Sequence, residues 1–89
     1  MRAIITVIGK DRVGIIAGIC IALAELGVNV LDISQTILQD MFTMNMLVDL
    51  KGATADFSCV ADAVEKKGEE LGVRVHIQRE DIFDAMHRI

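Results

Sequence analysis

The spacing of apolar residues constrains the fold of this 89-residue chain more than any other feature of the sequence. Two stretches carry apolar residues three and four positions apart, which is the spacing of one helix face: 13–26 and 57–71. Four others are β-branched runs or alternate apolar with polar positions, as strands do: 2–8, 28–38, 41–50 and 73–78. The sequence therefore predicts the order strand, helix, strand, strand, helix, strand.

This order predicts one α+β domain over residues 1–89. Each helix connects strands that can lie parallel through a right-handed crossover. The result is the ferredoxin-like βαββαβ arrangement, in which two helices cover one face of a four-stranded antiparallel sheet. The second and fourth strands then form the edges. A long apolar edge strand such as 28–38 must be paired or protected, so we expect a homodimer.

Glycines and polar residues mark where the predicted elements end. Gly27 follows the first helical stretch, at the position of a left-handed cap. Gln39 and Asp40 fit the turn of a hairpin, and Thr54 fits the N-cap of the second helix. The last residues, 79–89, carry apolar side chains at helical spacing and predict a short tail helix.

Charge and hydropathy argue against two classes of partner. The formal net charge is −4, and Lys66 and Lys67 are the only adjacent basic residues, so the chain lacks a basic surface for nucleic-acid phosphates. Its apolar runs are far shorter than the roughly 20 residues of a membrane span, and its first residues do not form a signal peptide. We expect a cytoplasmic protein that binds neither nucleic acid directly nor a membrane.

The cysteines, histidines and methionines predict neither a metal site nor a cofactor site. Cys20 and Cys59 lie far apart without C-x-x-C spacing, and we interpret both as small buried hydrophobic residues. His76 and His87 lack other ligands at metal-binding spacing. We interpret the methionine stripe as core: Met41, Met44, Met46 and Met86.

The junction at residues 9–14, GKDRVG, joins the first strand to the first helix. The first N–H groups of a helix have no partners within the helix and lie at the positive end of its dipole, so they attract a carboxylate. Gly14 lets a ligand approach the backbone, and Asp11 supplies a negative charge for an ammonium group. Asn29 offers both a donor and an acceptor. Together these residues predict a site complementary to an amino acid.

Each of these residues also has a purely structural interpretation. Asp11 is a preferred capping residue, Gly14 could let the helix pack closely on the sheet, and Asn29 could hydrogen-bond its own turn. Lys10 and Arg12 are interpreted as solvated loop charges, although Arg12 could reach an anionic group. The residues alone leave these alternatives open.

The stretch VIGKDRVGIIAGICIALAELGVNVLDISQ resembles the ACT domain, a regulatory module that binds small molecules. The family signature is a strand, a short loop ending in glycine, a helix, and then a segment such as GVNV. The hairpin FTMNMLVDL and the ending REDIFDAMHRI are similar to those of small stand-alone ACT proteins of bacteria and archaea. The resemblance covers the whole chain. It implies a homodimer that acts on amino-acid metabolism or its regulation, with a regulated protein as a possible partner. We expect no catalytic activity, because the sequence places no base beside a Ser or Cys.

The resemblance also implies a ligand site between the first loop of one subunit and the second strand of the other. We expect an amino acid or related carboxylate there, with its carboxylate on the free N–H groups of the helix and its ammonium on Asp11. Val13, Ile15 and Val30 would surround the ligand side chain. The residues expected to bind the ligand are Asp11, Arg12, Val13, Gly14, Ile15, Asn29 and Val30.

Two other functions are consistent with the sequence. One is an interaction domain that only dimerises, and the other is a small enzyme that uses the open sheet face. The polar residues of that face are Asp32, Ser34, Thr43 and Asn45. Neither a Walker loop nor G-x-G-x-x-G is present, so the sequence does not indicate a nucleotide site.

Overall fold

The computed structural model describes residues 1–10 and 13–80. The elements follow the predicted order: β1 Arg2–Lys10, α1 Ile15–Glu25, β2 Asn29–Leu38, β3 Met41–Asp49, α2 Phe57–Leu71 and β4 Arg74–Arg79. The tail helix predicted over 79–89 falls outside the described residues from position 81 onwards. In the two described ranges, no helix is long and apolar enough to cross a membrane.

The four strands form one antiparallel sheet in the order β2-β3-β1-β4. The prediction of a ferredoxin-like fold with the second and fourth strands at the edges is therefore confirmed. β1 lies in the middle because its residues are apolar enough to pack between two neighbouring strands. The turn between β2 and β3 contains Gln39 in the left-handed conformation, with φ 58°, as a tight hairpin turn requires.

The core lies between the helices and one face of the sheet. Alternate residues of the two central strands point into it, together with one stripe from each helix. The fully buried side chains include Ala3, Ile5 and Val7 of β1, Met44, Met46 and Val48 of β3, Ile19 and Leu23 of α1, and Val60 and Val64 of α2. The intervening residues of each strand form the opposite face, which no helix covers within the described residues.

A close contact fixes α2 on β4. Gly68 is buried in α2, and a Cβ atom built on it would collide with the side chain of Val75 and lie 3.1 Å from the carbonyl oxygen of Val73. A glycine at this position therefore lets the helix backbone approach the strand directly.

The N-cap of α2 corrects the sequence prediction. Thr54 is not the cap, because its hydroxyl donates to the Leu26 carbonyl at 3.2 Å and so joins the α2 approach to the end of α1. Asp56 is the cap, and its Oδ1 accepts the backbone N–H of Cys59 at 2.9 Å. The predicted left-handed conformation at Gly27 is confirmed, with φ 72°.

Two core assignments are also corrected. Met44 and Met46 lie in the core as predicted, but Met41 is exposed, because it faces the uncovered side of the sheet at the hairpin. Cys20 is partly buried and packs against the core, whereas Cys59 is exposed in the first turn of α2. Met86 lies outside the described residues.

β2 is the most exposed element of the molecule. Only Val30 in this strand is even half-buried, and a β-bulge between Val30 and Asp32 shifts its register against β3. The side chains of Ile33 and Ile37 are exposed although they point to the same side of the sheet as the core. The strand thus presents apolar side chains and an unpaired edge within the described part of the chain.

Candidate functional site

The helix that follows the loop after β1 has a glycine as its N-cap residue, which offers no side chain to cap it. Gly14 is the N-cap of α1 and adopts a left-handed conformation, with φ 91° and ψ 0°. Its carbonyl accepts the N–H of Gly18 at 2.8 Å, which starts the helical hydrogen bonds. No acidic residue lies in the first turn of α1. The positive end of the helix dipole at this loop is therefore not neutralised by the turn itself.

The space beside Gly14 is open. A Cβ atom built on Gly14 would have no neighbour within 4 Å among the described residues. The alternative that Gly14 lets the helix pack closely on the sheet is therefore wrong. Glycine is favoured here because other residues rarely adopt its positive φ, and the open space leaves room for a ligand next to the backbone.

The residues around Gly14 have different surroundings. Val13 is fully exposed at the tip of the loop, whereas Ile15 is buried in the core. Ile15 can therefore offer a ligand its backbone N–H group but not its side chain, contrary to its expected role around the ligand side chain. Asp11 and Arg12 lie outside the described residues.

Asn29 and Val30 begin β2 at the other end of the sheet. Lys10, which precedes the loop, pairs with Met41, whereas Asn29 pairs with Asp49 at the far end of β3. Asn29 is exposed, and Val30 packs partly against the core. Those sequence-predicted residues that the structure describes therefore form two groups in one chain, and the helix α1 of 11 residues, roughly 16 Å long, separates them.

Asp49 lies beside Asn29 and was not among the residues expected to bind the ligand. Its Oδ1 accepts the backbone N–H of Lys51 at 2.9 Å and lies 3.8 Å from the N-terminal nitrogen of Met1. The alternation of β3 places Asp49 on the uncovered sheet face, which the sequence pattern already indicated. Its position opposite Asn29 could not be inferred, because the bulge in β2 changes the pairing of the strands.

The uncovered sheet face is a second candidate surface. One row of polar side chains crosses all four strands where the registers align: Ser34, Asn45, Thr6 and His76. The Thr6 hydroxyl donates to Asn45 Oδ1 at 3.0 Å. Next to this row, a shallow depression of about 150 Å³ is lined by residues that include Asp32, Ser34 and Asn45. Its size and openness make it a poor fit for a ligand of ordinary size.

A groove follows the outer edge of β4. It has a volume of about 480 Å³ and is lined by residues of β4, β1 and α2, including Glu65, Glu69, Arg74 and His76. Carboxylates line one side, and Arg74 lies among the other lining residues. The groove wraps around an exposed strand edge and contains none of the residues implicated by the loop.

The two groups with shifted pKa values, Asp56 and Cys59, lie at the start of α2, outside the loop after β1 and the uncovered sheet face. The N–H of Cys59 donates to the Asp56 carboxylate and holds the pKa of Asp56 below its ordinary value of 3.8. The hydrogen bond to Asp56 and the charge of that carboxylate raise the pKa of the Cys59 thiol above 9.0. Both effects belong to the cap of α2. Within residues 1–10 and 13–80, no three His, Cys, Asp or Glu side chains are close enough together to hold a metal ion.

Sequence comparison identifies relatives that match the chain over its full length. The sequence model described as the ACT domain matches residues 2–78. The UPF0237 protein lin0537 of Listeria innocua is 54% identical over 89 residues, which is 100% of both proteins.

Two solved structures share the fold. The ACT domain protein from Streptococcus pneumoniae has 46% identity and a TM-score of 0.81, and the match covers 93% of each chain. The regulatory subunit of aspartate kinase from Thermus thermophilus, in its ligand-free form, has 28% identity and a TM-score of 0.67. That match covers 86% of this chain and 50% of the aspartate kinase subunit.

Proposed function

The chain belongs to the ACT domain family, and from this premise we propose that it is a regulatory module that binds a small ligand. The ligand is an amino acid or a related carboxylate and binds at the seam of a homodimer. The module acts on amino-acid metabolism or its regulation. The observation that carries the proposal is the geometry of Gly14, a left-handed N-cap without a side chain, beside which no other described residue lies within 4 Å of a built Cβ atom.

The exposed edge of the sheet supports the dimer. Ile33, Ile37 and Leu38 are exposed on β2, and Ile21 is exposed on α1. Large apolar side chains next to an unpaired strand edge favour pairing with another chain. A second copy that adds its own β2 would extend the sheet and cover these side chains.

A two-fold dimer would unite the two groups of predicted residues. If two β2 strands pair about a two-fold axis perpendicular to the sheet, they run antiparallel. The Asn29 end of one strand then lies beside the Leu38 end of the other. The loop after β1 is at that same end of the sheet, because Lys10 and Leu38 both pair with Met41. The arrangement therefore brings the loop of one subunit towards Asn29 of the other.

The ligand is oriented by charge in this proposal. Its carboxylate accepts the free N–H groups at the start of α1, including that of Ile15, and gains typically 0.3–1 kcal/mol from the helix dipole. Asp11 pairs with its ammonium group, and Asn29 of the second subunit provides a further donor and acceptor. Val13 and Val30 lie next to the ligand side chain, and Arg12 is available for an anionic group.

We expect ligand binding to raise the melting temperature. A ligand that binds only the folded dimer adds roughly 2.7 kcal/mol at a hundredfold its dissociation constant, which a melting curve detects. A panel of the twenty amino acids and common carboxylate metabolites is therefore the first experiment. If no compound shifts the wild-type protein, the proposal loses its main support.

Gly14→Asn is the sharpest variant for locating the site. Asn tolerates a left-handed conformation, so this change fills the open space with little backbone strain. We expect the variant to fold and to lose the ligand-induced shift. Gly14→Ala is the control, because it adds one carbon to an open region and carries the greater backbone penalty. Undiminished binding by Gly14→Asn would place the site elsewhere.

The interaction domain without a ligand is the second candidate. The same exposed residues of β2 favour it, since they need a partner whether or not a small molecule binds. A homodimer that responds to no compound in the panel would support this candidate over the ligand-binding module.

A further inference from the structure

The outer edge of β4 has the geometry and the charges of a site for an added strand. We infer that this edge accepts an extended segment of another protein as a fifth strand of the sheet. The segment has basic side chains at alternate positions, which face α2, and an acidic side chain between them, which faces the other way. The inference goes beyond the proposed function, because it assigns a surface for a protein partner and does not require a small ligand.

β4 lies at the end of the sheet and pairs with β1 on one side. In the part of the chain that the structure describes, no strand pairs with its other side. Such an edge presents a row of N–H and C=O groups that an extended peptide can bind. The groove of about 480 Å³ follows this edge and is lined by residues on both sides of the strand. Space for an added strand is therefore present.

α2 forms one wall of the groove. Gly68 brings the helix backbone close to β4, since a Cβ atom built on it would lie 3.1 Å from the Val73 carbonyl oxygen. Glu65 and Glu69 line the groove and lie four residues apart on the same face of the helix. Both are exposed, and neither makes an ion pair or a side-chain hydrogen bond with another described residue. Two negative charges are therefore available to a partner.

The spacing of the two carboxylates matches that of alternate residues in a strand. Residues four apart in a helix are separated by about 6 Å along its axis. Residues two apart in a strand are separated by roughly 6.6 Å and point to the same side. Two Lys or Arg side chains at alternate positions of an added strand can therefore lie opposite Glu65 and Glu69.

The uncovered face of the sheet forms the other wall, which carries a positive charge. Arg74 and His76 of β4 point to this face, because they alternate with the buried Ile77. Both are exposed and line the groove, and Arg74 makes no ion pair with another described residue. The side chain between the two basic residues of an added strand points to this same face, so an acidic residue there complements Arg74.

Charge argues against a second copy of this chain as the occupant. If two β4 strands paired about a two-fold axis perpendicular to the sheet, both α2 helices would lie on the same side of the extended sheet. Glu65 and Glu69 of one helix would then face those of the other. Like charges placed opposite each other are destabilising. The occupant is therefore a different protein, with basic side chains opposite these carboxylates.

The test uses three short synthetic peptides with blocked ends. The first has Lys at every second position, Glu at the central intervening position and Thr at the others. The second has Gln in place of each Lys. The third has the sequence of the first with every backbone nitrogen methylated, so it keeps the charges but cannot donate hydrogen bonds to a strand edge. Amide chemical shifts of the protein during titration give both the dissociation constants and the residues that are affected.

We expect the first peptide to shift the amide resonances of residues 74–79 and to bind at least about fivefold more tightly than either of the others. Changing both carboxylates, by Glu65→Gln with Glu69→Gln, should weaken binding of the first peptide at least about fivefold and leave the second unchanged. Asp62→Asn with Glu70→Gln is the matched control. These two residues are exposed on α2, do not line the groove, and change the net charge by the same amount.

Three results would overturn the inference. The first is a wild-type protein that binds none of the peptides, or that binds them through β2 instead of β4. The second is equal binding of the methylated peptide, which would show attraction between charges without an added strand. The third is an equal loss of binding in the control variant, which would show that only the net charge matters. The thermal panel tests the small ligand separately, so none of these results decides the proposed function.

Discussion

Asp56 illustrates how one side chain sets the start of a helix. Its carboxylate accepts the N–H of Cys59, one of the groups at a helix start that have no partner within the helix. Thr54, two residues earlier, is an equally acceptable capping residue by type, but its hydroxyl is bonded to Leu26. Local sequence therefore predicted a cap in this region, whereas the contact with the end of α1 decided which residue provides it.

The cap makes a prediction about pH. The folded-state pKa of Asp56 is lowered below 3.8, so its charged form stabilises the fold above that value and the contribution is lost as pH falls through the folded-state pKa. We expect Asp56→Ala to lower the melting temperature at pH 7, and the difference from wild-type to shrink below pH 3.8. Thermal denaturation by circular dichroism at several pH values measures it.

Asp62→Ala is the control for this experiment, since Asp62 is exposed on the same helix and has no capping bond. A difference between wild-type and Asp56→Ala that stays constant down to the lowest pH would show that the charge of Asp56 does not act through the cap.

At the scale of elements, periodicity was sufficient to predict the fold. The alternation of Phe42, Met44, Met46 and Val48 and the helical stripe of Val60 and Val64 each face the core as predicted. The failures come from tertiary context. Met41 is a methionine like Met44 and Met46, but it lies on the other face of β3. Cys59 lies in an exposed turn of α2.

The contact of α2 with β4 gives a prediction at this scale. Gly68→Ala would place a methyl group against Val75 and within 3.1 Å of the Val73 carbonyl oxygen, which is backbone and cannot rotate away. We expect this change to destabilise the fold by about 1–3 kcal/mol, the usual cost of overpacking. Chemical denaturation measures the free energy of unfolding.

Gly18→Ala is the matched control in the other helix. Its Cβ would lie 2.9 Å from Leu71 Cδ1, the end of a flexible side chain that can move. Replacing a helical glycine by alanine gains up to about 1 kcal/mol of helix propensity. We expect this variant to be neutral or stabilised, and equal destabilisation of both variants would show that the Gly68 contact has no special role.

At the scale of the whole molecule, the two edges of the sheet differ. β4 is short, with 6 residues, and has Arg74 and Arg79 at its ends, so antiparallel pairing with its own copy would bring like charges together. β2 has 10 residues and exposes apolar side chains along its length. The difference favours association through β2, which would leave β4 at the outside of the proposed dimer.

The candidate site could be predicted from sequence only in part, and the reason also lies at this scale. The glycine and the helix start are local features, so GKDRVG revealed them. Which residues come near Asn29 depends on the register of β2, where the bulge after Val30 shifts the pairing. The pairing of Asn29 with Asp49 therefore became visible only once the strands were aligned.

The dimer provides the last prediction. We expect the protein to have twice the 9.7 kDa mass of one chain in solution, and Ile37→Lys to shift it to the monomer. Ile37 is 53% exposed on β2 in the single chain. The proposed seam would bury two copies of this side chain, one from each subunit. An unpaired charge buried at an interface costs about 3–5 kcal/mol. Light scattering at micromolar concentration measures the change.

Ile8→Lys is the control, because Ile8 is 43% exposed but lies on the uncovered face of β1, away from the seam. A monomeric wild-type protein, or a dimer disrupted by Ile8→Lys and not by Ile37→Lys, would contradict association through β2 and would remove the geometry that brings Asn29 to the loop.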